Sequence, residues 1–123
     1  MHRPKPAGLV RVIRAFGASY RGYCGAFRNE AAFRQELAVA LVIIPLGLHL
    51  GRSGVERALL VVPMILVLIV ELLNSAIEAT VDRVGLEHHE LSGLAKDLGS
   101  AAVLTSFAAL GSTWLLVLFS RGN

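Results

Sequence analysis

Four polar side chains interrupt an apolar segment of this chain at helical spacing. They are Glu71, Asn74, Glu78 and Asp82. At about 100° per residue, side chains three, seven and eleven positions apart fall on one narrow stripe of a helix. Residues 58–70 are apolar without a break, and with its continuation the segment is long enough to cross a bilayer. An acidic residue there costs roughly 2.5–3.5 kcal/mol, so Glu71 indicates a functional site.

The carboxylates of this stripe suit phosphate chemistry with a divalent cation. Mg²⁺ prefers oxygen ligands at ~2.0–2.1 Å and commonly takes one or two carboxylates together with substrate phosphates. Glu71 and Glu78 would lie about 10.5 Å apart along a helix axis, so we expect them to have separate roles. Glu71 is the candidate general base, because apolar surroundings disfavour its charged form, whereas Glu78 is expected nearer to water.

The segment 83–97, which follows this stripe, carries further candidate side chains. We expect a loop of about fifteen residues there, longer than a link between membrane helices needs, and therefore a functional one. Lys96 is either a charge that sets topology or a cation that holds phosphates. The segment's polar residues are Glu87, His88, His89, Glu90, Lys96 and Asp97.

Known kinase motifs and metal spacings are missing from the sequence. Adjacent histidines such as His88 and His89 lack the spacing of a typical metal site, so two solvated loop residues are the simpler interpretation. The chain contains no GxxxxGK followed by Ser or Thr, and no H-R-D or D-F-G pattern. A kinase here would be neither a P-loop enzyme nor a protein kinase.

Composition indicates one small membrane domain over residues 1–123. Hydrophobic residues make up 54% of the chain and charged residues 17%, against about 25% charged in soluble domains. No nucleic-acid partner is expected. Cys24 is the single cysteine, which permits no intrachain disulfide. The N-terminal segment lacks a continuous apolar region, so we expect no cleaved signal peptide.

Periodicity predicts an all-α membrane protein with one surface helix and three spans. Apolar residues at three- and four-residue steps over about 8–28, opposite a row of arginines, predict an amphipathic helix on the membrane surface. The spans are predicted at about 31–50, 55–81 and 98–119. Pro45 and Pro63 would kink the first two spans, and Trp114 would anchor the third at a membrane interface.

Basic residues predict the orientation in the membrane. Seven precede the body of the first span: Arg3, Lys5, Arg11, Arg14, Arg21, Arg28 and Arg34. Arg83 and Lys96 flank the segment 83–97, whereas few basic residues lie near the 51–54 turn or the C-terminus. The N-terminus and the 83–97 loop are therefore expected in the cytoplasm, and the C-terminus outside. Eight of the nine acids then gather on the cytoplasmic side.

Three blocks of sequence resemble a known family. They are NEAAFRQE at 29–36, ELLNSAIEATVDR at 71–83 and EHHELSGLAKDLGSAAVL at 87–104. They closely resemble the signature blocks of the small bacterial membrane diacylglycerol kinases, and the resemblance covers almost the whole chain. It implies transfer of the γ-phosphate of ATP to a lipid hydroxyl. It also implies an α-helical homotrimer of the bacterial cytoplasmic (inner) membrane, with active sites shared between subunits.

The resemblance also implies roles for individual residues. Glu71 matches the general base and Asn74 its support, while Glu30 and Glu78 match the residues that hold Mg²⁺ under the nucleotide. The positions matching ATP contacts are Arg11, Ala18, Glu30, Glu78, Glu87, His88, His89, Lys96 and Asp97. The positions matching the lipid and phosphate path are Arg11, Ser19, Arg34, Gln35, Glu71 and Ser100. Glu36 and Asp82 match supporting polar positions.

Departures from the family pattern, and two alternatives, qualify these implications. Ala18 and His88 stand where aromatic residues are often found, and Leu94 replaces a basic residue. The product would be phosphatidic acid if the lipid is diacylglycerol; related kinases phosphorylate undecaprenol. A small proton-coupled transporter would also use an intramembrane glutamate. Such exporters have four spans and a lone acid, unlike this chain.

Overall fold

The computed structural model is all-helical and describes residues 3–4 and 7–121. Lys5, one of the basic residues behind the predicted orientation, and both chain ends lie outside the described residues. The four helices are α1 (Leu9–Asn29), α2 (Ala31–Leu50), α3 (Gly54–Val84) and α4 (Glu90–Phe119). The last three are long and apolar enough to cross a membrane. The predicted all-α fold is confirmed, with a long apolar helix at each of the three predicted spans.

The helix α3 lies between α2 and α4 and forms the core with them. Leu60, Met64 and Val67 are fully buried along one side of α3. Small residues on α2 let the helices approach closely: a Cβ added at Gly47 would lie 3.0 Å from the Leu60 Cβ. Burial of an apolar stripe at helical spacing fixes which face of α3 is inside.

Glu30 alone separates α1 from α2. Its backbone is extended (φ −118°, ψ 106°), which ends one helix and begins the next. Arg34 reaches back and donates from Nη1 to the Phe27 carbonyl at 2.7 Å and to the Arg28 carbonyl at 3.3 Å. These are among the final carbonyls of α1, which have no partner within their helix. Arg34 therefore ties the two helices together.

The predicted helix over 8–28 is confirmed as α1, but its position on a membrane surface stays a prediction. Leu9 and Phe16 on its apolar face are 75% and 74% exposed. An apolar face without a protein partner fits a helix that lies in a membrane interface.

At the opposite end of the bundle, the turn between α2 and α3 is tightly built. Ser53 caps α3 by accepting a hydrogen bond from the Glu56 amide at 3.1 Å. Gly51 packs so closely against Arg57 that an added Cβ would overlap that side chain. Arg57 Nε donates to the Leu48 carbonyl at 3.1 Å, near the end of α2. The Arg57 guanidinium thus supplies a donor to a carbonyl at the end of α2, where the helix dipole favours a positive charge.

A second cation closes this end of the bundle. Arg121, just after α4, forms a 2.5 Å ion pair with Glu56. It also donates to the Leu50 carbonyl at the end of α2. The ends of α2, α3 and α4 are therefore joined by one arginine.

The predicted loop over 83–97 is wrong for most of its length. The helix α4 begins at Glu90, eight residues before the predicted span, and only Gly85–His89 connect it to α3. His89 caps α4 because its Nδ1 accepts from the Leu91 amide at 3.1 Å. Polar residues suggested a loop, but the stretch after His89 has no proline to stop a helix, and Glu90 suits a first turn. Lys96 and Asp97 consequently lie on a helix.

Trp114 links two helices, a contact that the sequence did not predict, and its place at a membrane interface stays a prediction. Its indole Nε1 donates to the Leu60 carbonyl of α3 at 2.9 Å. Pro63, three residues further along α3, lacks an N–H, so the Leu59 carbonyl has no helical donor. The indole bonds the next carbonyl along and joins α4 to α3 beside this break.

We expect Trp114→Phe to lower the free energy of unfolding by about 1–2 kcal/mol. Phenylalanine keeps most of the packing but removes the hydrogen bond that joins α4 to α3. Unfolding in mixed detergent micelles measures the change, with Leu115→Ala, an exposed neighbour on α4, as the control. A stability equal to that of wild type would show that water or lipid replaces the indole.

Candidate active site

Two carboxyl groups from neighbouring helices lie buried beside each other. Glu71 of α3 is 4% exposed and Glu36 of α2 is 8% exposed. Their side chains are close enough to interact directly, and Glu36 Oε2 is buried with no hydrogen-bond partner in the part of the chain that the structure describes. Burying two acids together costs free energy unless they are well paired. The pair therefore indicates a function beyond packing, and Glu36 belongs nearer the centre of the site than the sequence predicted.

The predicted polar stripe is present on α3 beyond this pair. Asn74 Nδ2 donates to Glu78 Oε1 at 3.3 Å, one helical turn apart. Glu30 and Glu78 both lie within electrostatic range of Glu71. Three of the acids that the sequence placed at the site, Glu30, Glu36 and Glu78, therefore lie around Glu71.

A cavity of about 540 Å³ lies beneath α1, with one of these acids, Glu30, in its lining. It is enclosed by α1, Glu30 and the 72–79 part of α3. Its polar lining residues are Ser19, Asn29, Glu30 and Ser75. The Ser75 hydroxyl is buried and has no hydrogen-bond partner among the described residues. A buried polar atom without a partner, in a cavity of this kind, is available to a ligand.

A second, mostly apolar cavity of about 470 Å³ lies on the other side of α1. Tyr23 and Leu72 line both cavities, so the two are adjacent. Arg28 is the charged residue in the lining of the second, among aromatic and aliphatic side chains. The first cavity, called the polar cavity below for its four polar side chains, is otherwise lined by apolar groups. The two cavities thus place a few polar groups next to a larger apolar space, an arrangement that suits an amphiphilic ligand.

The carboxylates fit a metal that is shared with a ligand. Among residues 3–4 and 7–121, no group of three or more His, Cys, Asp or Glu side chains could hold a metal ion by itself. Mg²⁺ commonly takes only one or two carboxylates and completes its shell with phosphates and water. Glu30, which lines the cavity, and Glu78, which Asn74 orients, match that donor set.

Asp82 and Lys96 form an ion pair that the sequence did not predict. Lys96 Nζ lies 2.7 Å from Asp82 Oδ1, with side chains 44% and 47% exposed. The pair joins the last turns of α3 to the first turns of α4. A short connection between two antiparallel helices would have predicted that Asp82 and Lys96 lie close together. The sequence analysis expected a long loop there, so it did not predict the pair.

The structure does not bring every predicted residue to the acids. Arg34 is engaged at the end of α1, and the Ser19 hydroxyl donates to the Ala15 carbonyl although Ser19 lines the polar cavity. His89 is occupied as the cap of α4. The remaining predicted side chains are exposed: Arg11, Ala18, Gln35, Glu87, His88, Asp97 and Ser100. Their roles stay predictions.

Three apolar helices around paired buried acids define a small multi-pass membrane protein with an acidic site. A family model described as prokaryotic diacylglycerol kinase matches residues 17–118. The chain belongs to this family.

Relatives of similar length support the assignment. The chain is 50% identical to a diacylglycerol kinase of Escherichia coli over 114 residues, which are 93% of each protein. It is 52% identical to a diacylglycerol kinase of Pseudomonas aeruginosa over 111 residues, 90% of each. A diacylglycerol kinase of Haemophilus influenzae is 45% identical over 115 residues, 94% of this chain and 98% of that protein. The resemblance seen in the sequence is confirmed: the chain is a kinase, and the transporter alternative is excluded.

We expect Glu36→Gln to raise the free energy of unfolding by about 1.5 kcal/mol. The amide keeps the shape of the side chain, removes one of two buried acids and can donate a hydrogen bond to Glu71. Denaturant titration in detergent tests this, with Glu87→Gln, an exposed acid, as the control. A loss of stability would mean that Glu36 already has a compensating partner in the assembled protein.

Proposed function

We propose that this protein transfers the γ-phosphate of ATP to the free hydroxyl of diacylglycerol, giving phosphatidic acid. The observation that carries the proposal is the burial of Glu71 beside Glu36, one residue before Leu72, which lines both cavities, in a chain of the diacylglycerol kinase family. The names of the relatives favour diacylglycerol over undecaprenol as the lipid.

Glu71 is the general base in this proposal. A carboxylate in a water-poor pocket can take the proton of a hydroxyl that is held beside it. Its contact with Glu36 supports the assignment, because a neighbouring acid can hold the carboxyl in one orientation. The lipid hydroxyl would approach from the apolar cavity, whose open side suits acyl chains. Asn74 supports the arrangement one turn further along α3.

Mg²⁺ is the proposed cofactor, held by Glu30 and Glu78 together with the phosphates of ATP. When bound, it would neutralise charge on the transferred phosphoryl group. Ser75, with its unpartnered hydroxyl, is a further group that the phosphates could reach in the polar cavity. Lys96, Asp97, Glu87 and His89 are proposed to contact the nucleotide, with Asp82 holding Lys96 by their ion pair.

The proposed setting is a bacterial inner membrane, with the N-terminus in the cytoplasm and the C-terminus outside. The exposed apolar face of α1 supports a position on the membrane surface. The polar cavity lies beneath α1, so a nucleotide from the cytoplasm and a lipid from the bilayer could meet there.

A homotrimer with shared sites is the proposed assembly. In the described part of the chain the polar cavity is lined by residues of α1 and α3 and by Glu30, and Glu78 and Lys96 remain partly open in one chain. Three helices that are each ~10–12 Å across cannot enclose a nucleotide and also keep lipid away from it. Neighbouring copies are therefore proposed to complete the site.

We expect Glu71→Gln to lower kcat by 10² to 10⁴ while the protein stays folded, because the amide keeps the shape but cannot accept the proton. Purified protein with Mg²⁺, ATP and either dioleoylglycerol or undecaprenol provides the assay. The wild-type ratio of rates for the two lipids tests the substrate. A variant that keeps more than a tenth of wild-type kcat would remove Glu71 from the role of base.

Subunit mixing tests the shared site. Inactive Glu30→Ala and Glu71→Ala proteins, allowed to exchange subunits, should recover part of the wild-type activity, since some sites then receive intact residues from two chains. Recovery cannot exceed the statistical fraction of such sites. Mixed oligomers that demonstrably form and yet stay as inactive as their parents would place each site within one chain.

A further inference from the structure

Gly99 of α4 lies at an unusually close approach to the acidic site. It is buried, and a Cβ built on it would overlap Asn74 Oδ1. Two other glycines of the same helix, Gly93 and Gly111, have nothing within 4 Å of the corresponding position. The close approach is therefore a feature of this one position and not of α4 as a whole.

The Asn74 amide has one orientation that satisfies its neighbours. Its Nδ2 donates to Glu78 Oε1 at 3.3 Å, so Oδ1 must face the other way, toward α4. Oδ1 is buried, and no N–H or O–H group of residues 3–4 and 7–121 bonds it. At Gly99 a hydrogen occupies the direction of the missing Cβ, and a Cα–H can make a weak contact with such an oxygen. Any side chain there would push the amide away.

We propose that Gly99 is a positioning residue for the metal site, acting through Asn74 on Glu78. The absence of a side chain at Gly99 lets Asn74 lie between α3 and α4 with its N–H directed at the Glu78 carboxylate. A carboxylate held by a fixed donor presents its free oxygen to a cation in one geometry, and Mg²⁺ tolerates little deviation. The inference rests on the proposed function, in which Glu78 is a metal ligand.

Binding of Mn²⁺, a substitute for Mg²⁺ with an electron paramagnetic resonance signal, provides a test that does not depend on turnover. The full-length protein in detergent is titrated with Mn²⁺ in the presence of a non-hydrolysable ATP analogue. We expect Gly99→Ala to weaken Mn²⁺ binding by about tenfold, as changes to outer-shell partners do. Gly111→Ala, the matched control on α4, should change it by less than twofold.

A double-mutant cycle separates positioning from a general packing defect. Asn74→Ala should weaken Mn²⁺ binding by itself, and adding Gly99→Ala should then change nothing more, because the side chain it displaces is gone. A purely structural role of Gly99 would instead give effects that add in the double variant. Additive effects, or wild-type binding by Gly99→Ala, would overturn the inference.

Two further variants keep the outcomes distinct. If Gly99→Ala does not fold, Asn74→Ala in the same chain should restore folding by removing the overlap; failure to restore it would count against the inference. Glu78→Gln tests the metal assignment itself. If Glu78→Gln binds Mn²⁺ as wild type does, Glu78 is not a metal ligand and the inference fails with the proposed function. If Glu78→Gln binds Mn²⁺ weakly but Gly99→Ala binds it normally, only the role of Gly99 is refuted.

Discussion

The burial of Glu71 beside Glu36 is the constraint on which this structure depends. Neither side chain gains from leaving water, and a membrane helix offers no polar surroundings to repay the loss. The two residues come from different helices, so α2 and α3 must pack in one register for the pair to meet. The fully buried side of α3, with Leu60, Met64 and Val67, supplies the packing that fixes this register. The apolar core therefore holds a polar site that it would not form by itself.

The two ends of the helical bundle differ in how their polar groups are paired. At the end of α2, Arg57 and Arg121 donate to carbonyls that have no partner within the helix, and Arg121 also pairs with Glu56. These arginines are among the few basic residues expected on the outer side, and their hydrogen bonds give them a structural role. At the other end, among the described residues, Asp82 is the one acid with a cationic partner, the exposed Lys96. One end is closed by its own contacts, while the other is left open to ligands.

Local periodicity was sufficient to predict the helices and the polar stripe. Glu71, Asn74 and Glu78 share a face because their spacing repeats within one helix, and this needs no knowledge of its neighbours. The contacts of Glu36 with Glu71, and of Trp114 with Leu60, depend on how helices pack against each other, which spacing along one helix does not specify. The start of α4 was missed for another reason: polar residues suggested a loop where only a helix cap was present.

The position of Glu30 connects the shape of the chain to its chemistry. It is the single extended residue between α1 and α2, and its side chain also lines the polar cavity. Any rotation of α1 relative to α2 must pass through the backbone of this residue, because no other residue separates the helices. Arg34 restrains that rotation by binding the last carbonyls of α1. If α1 lies on the membrane as proposed, its depth in the membrane is coupled to the position of Glu30, the candidate metal ligand that joins it to α2. A lipid that lifts or lowers α1 would then alter the cavity and the carboxylate in one movement.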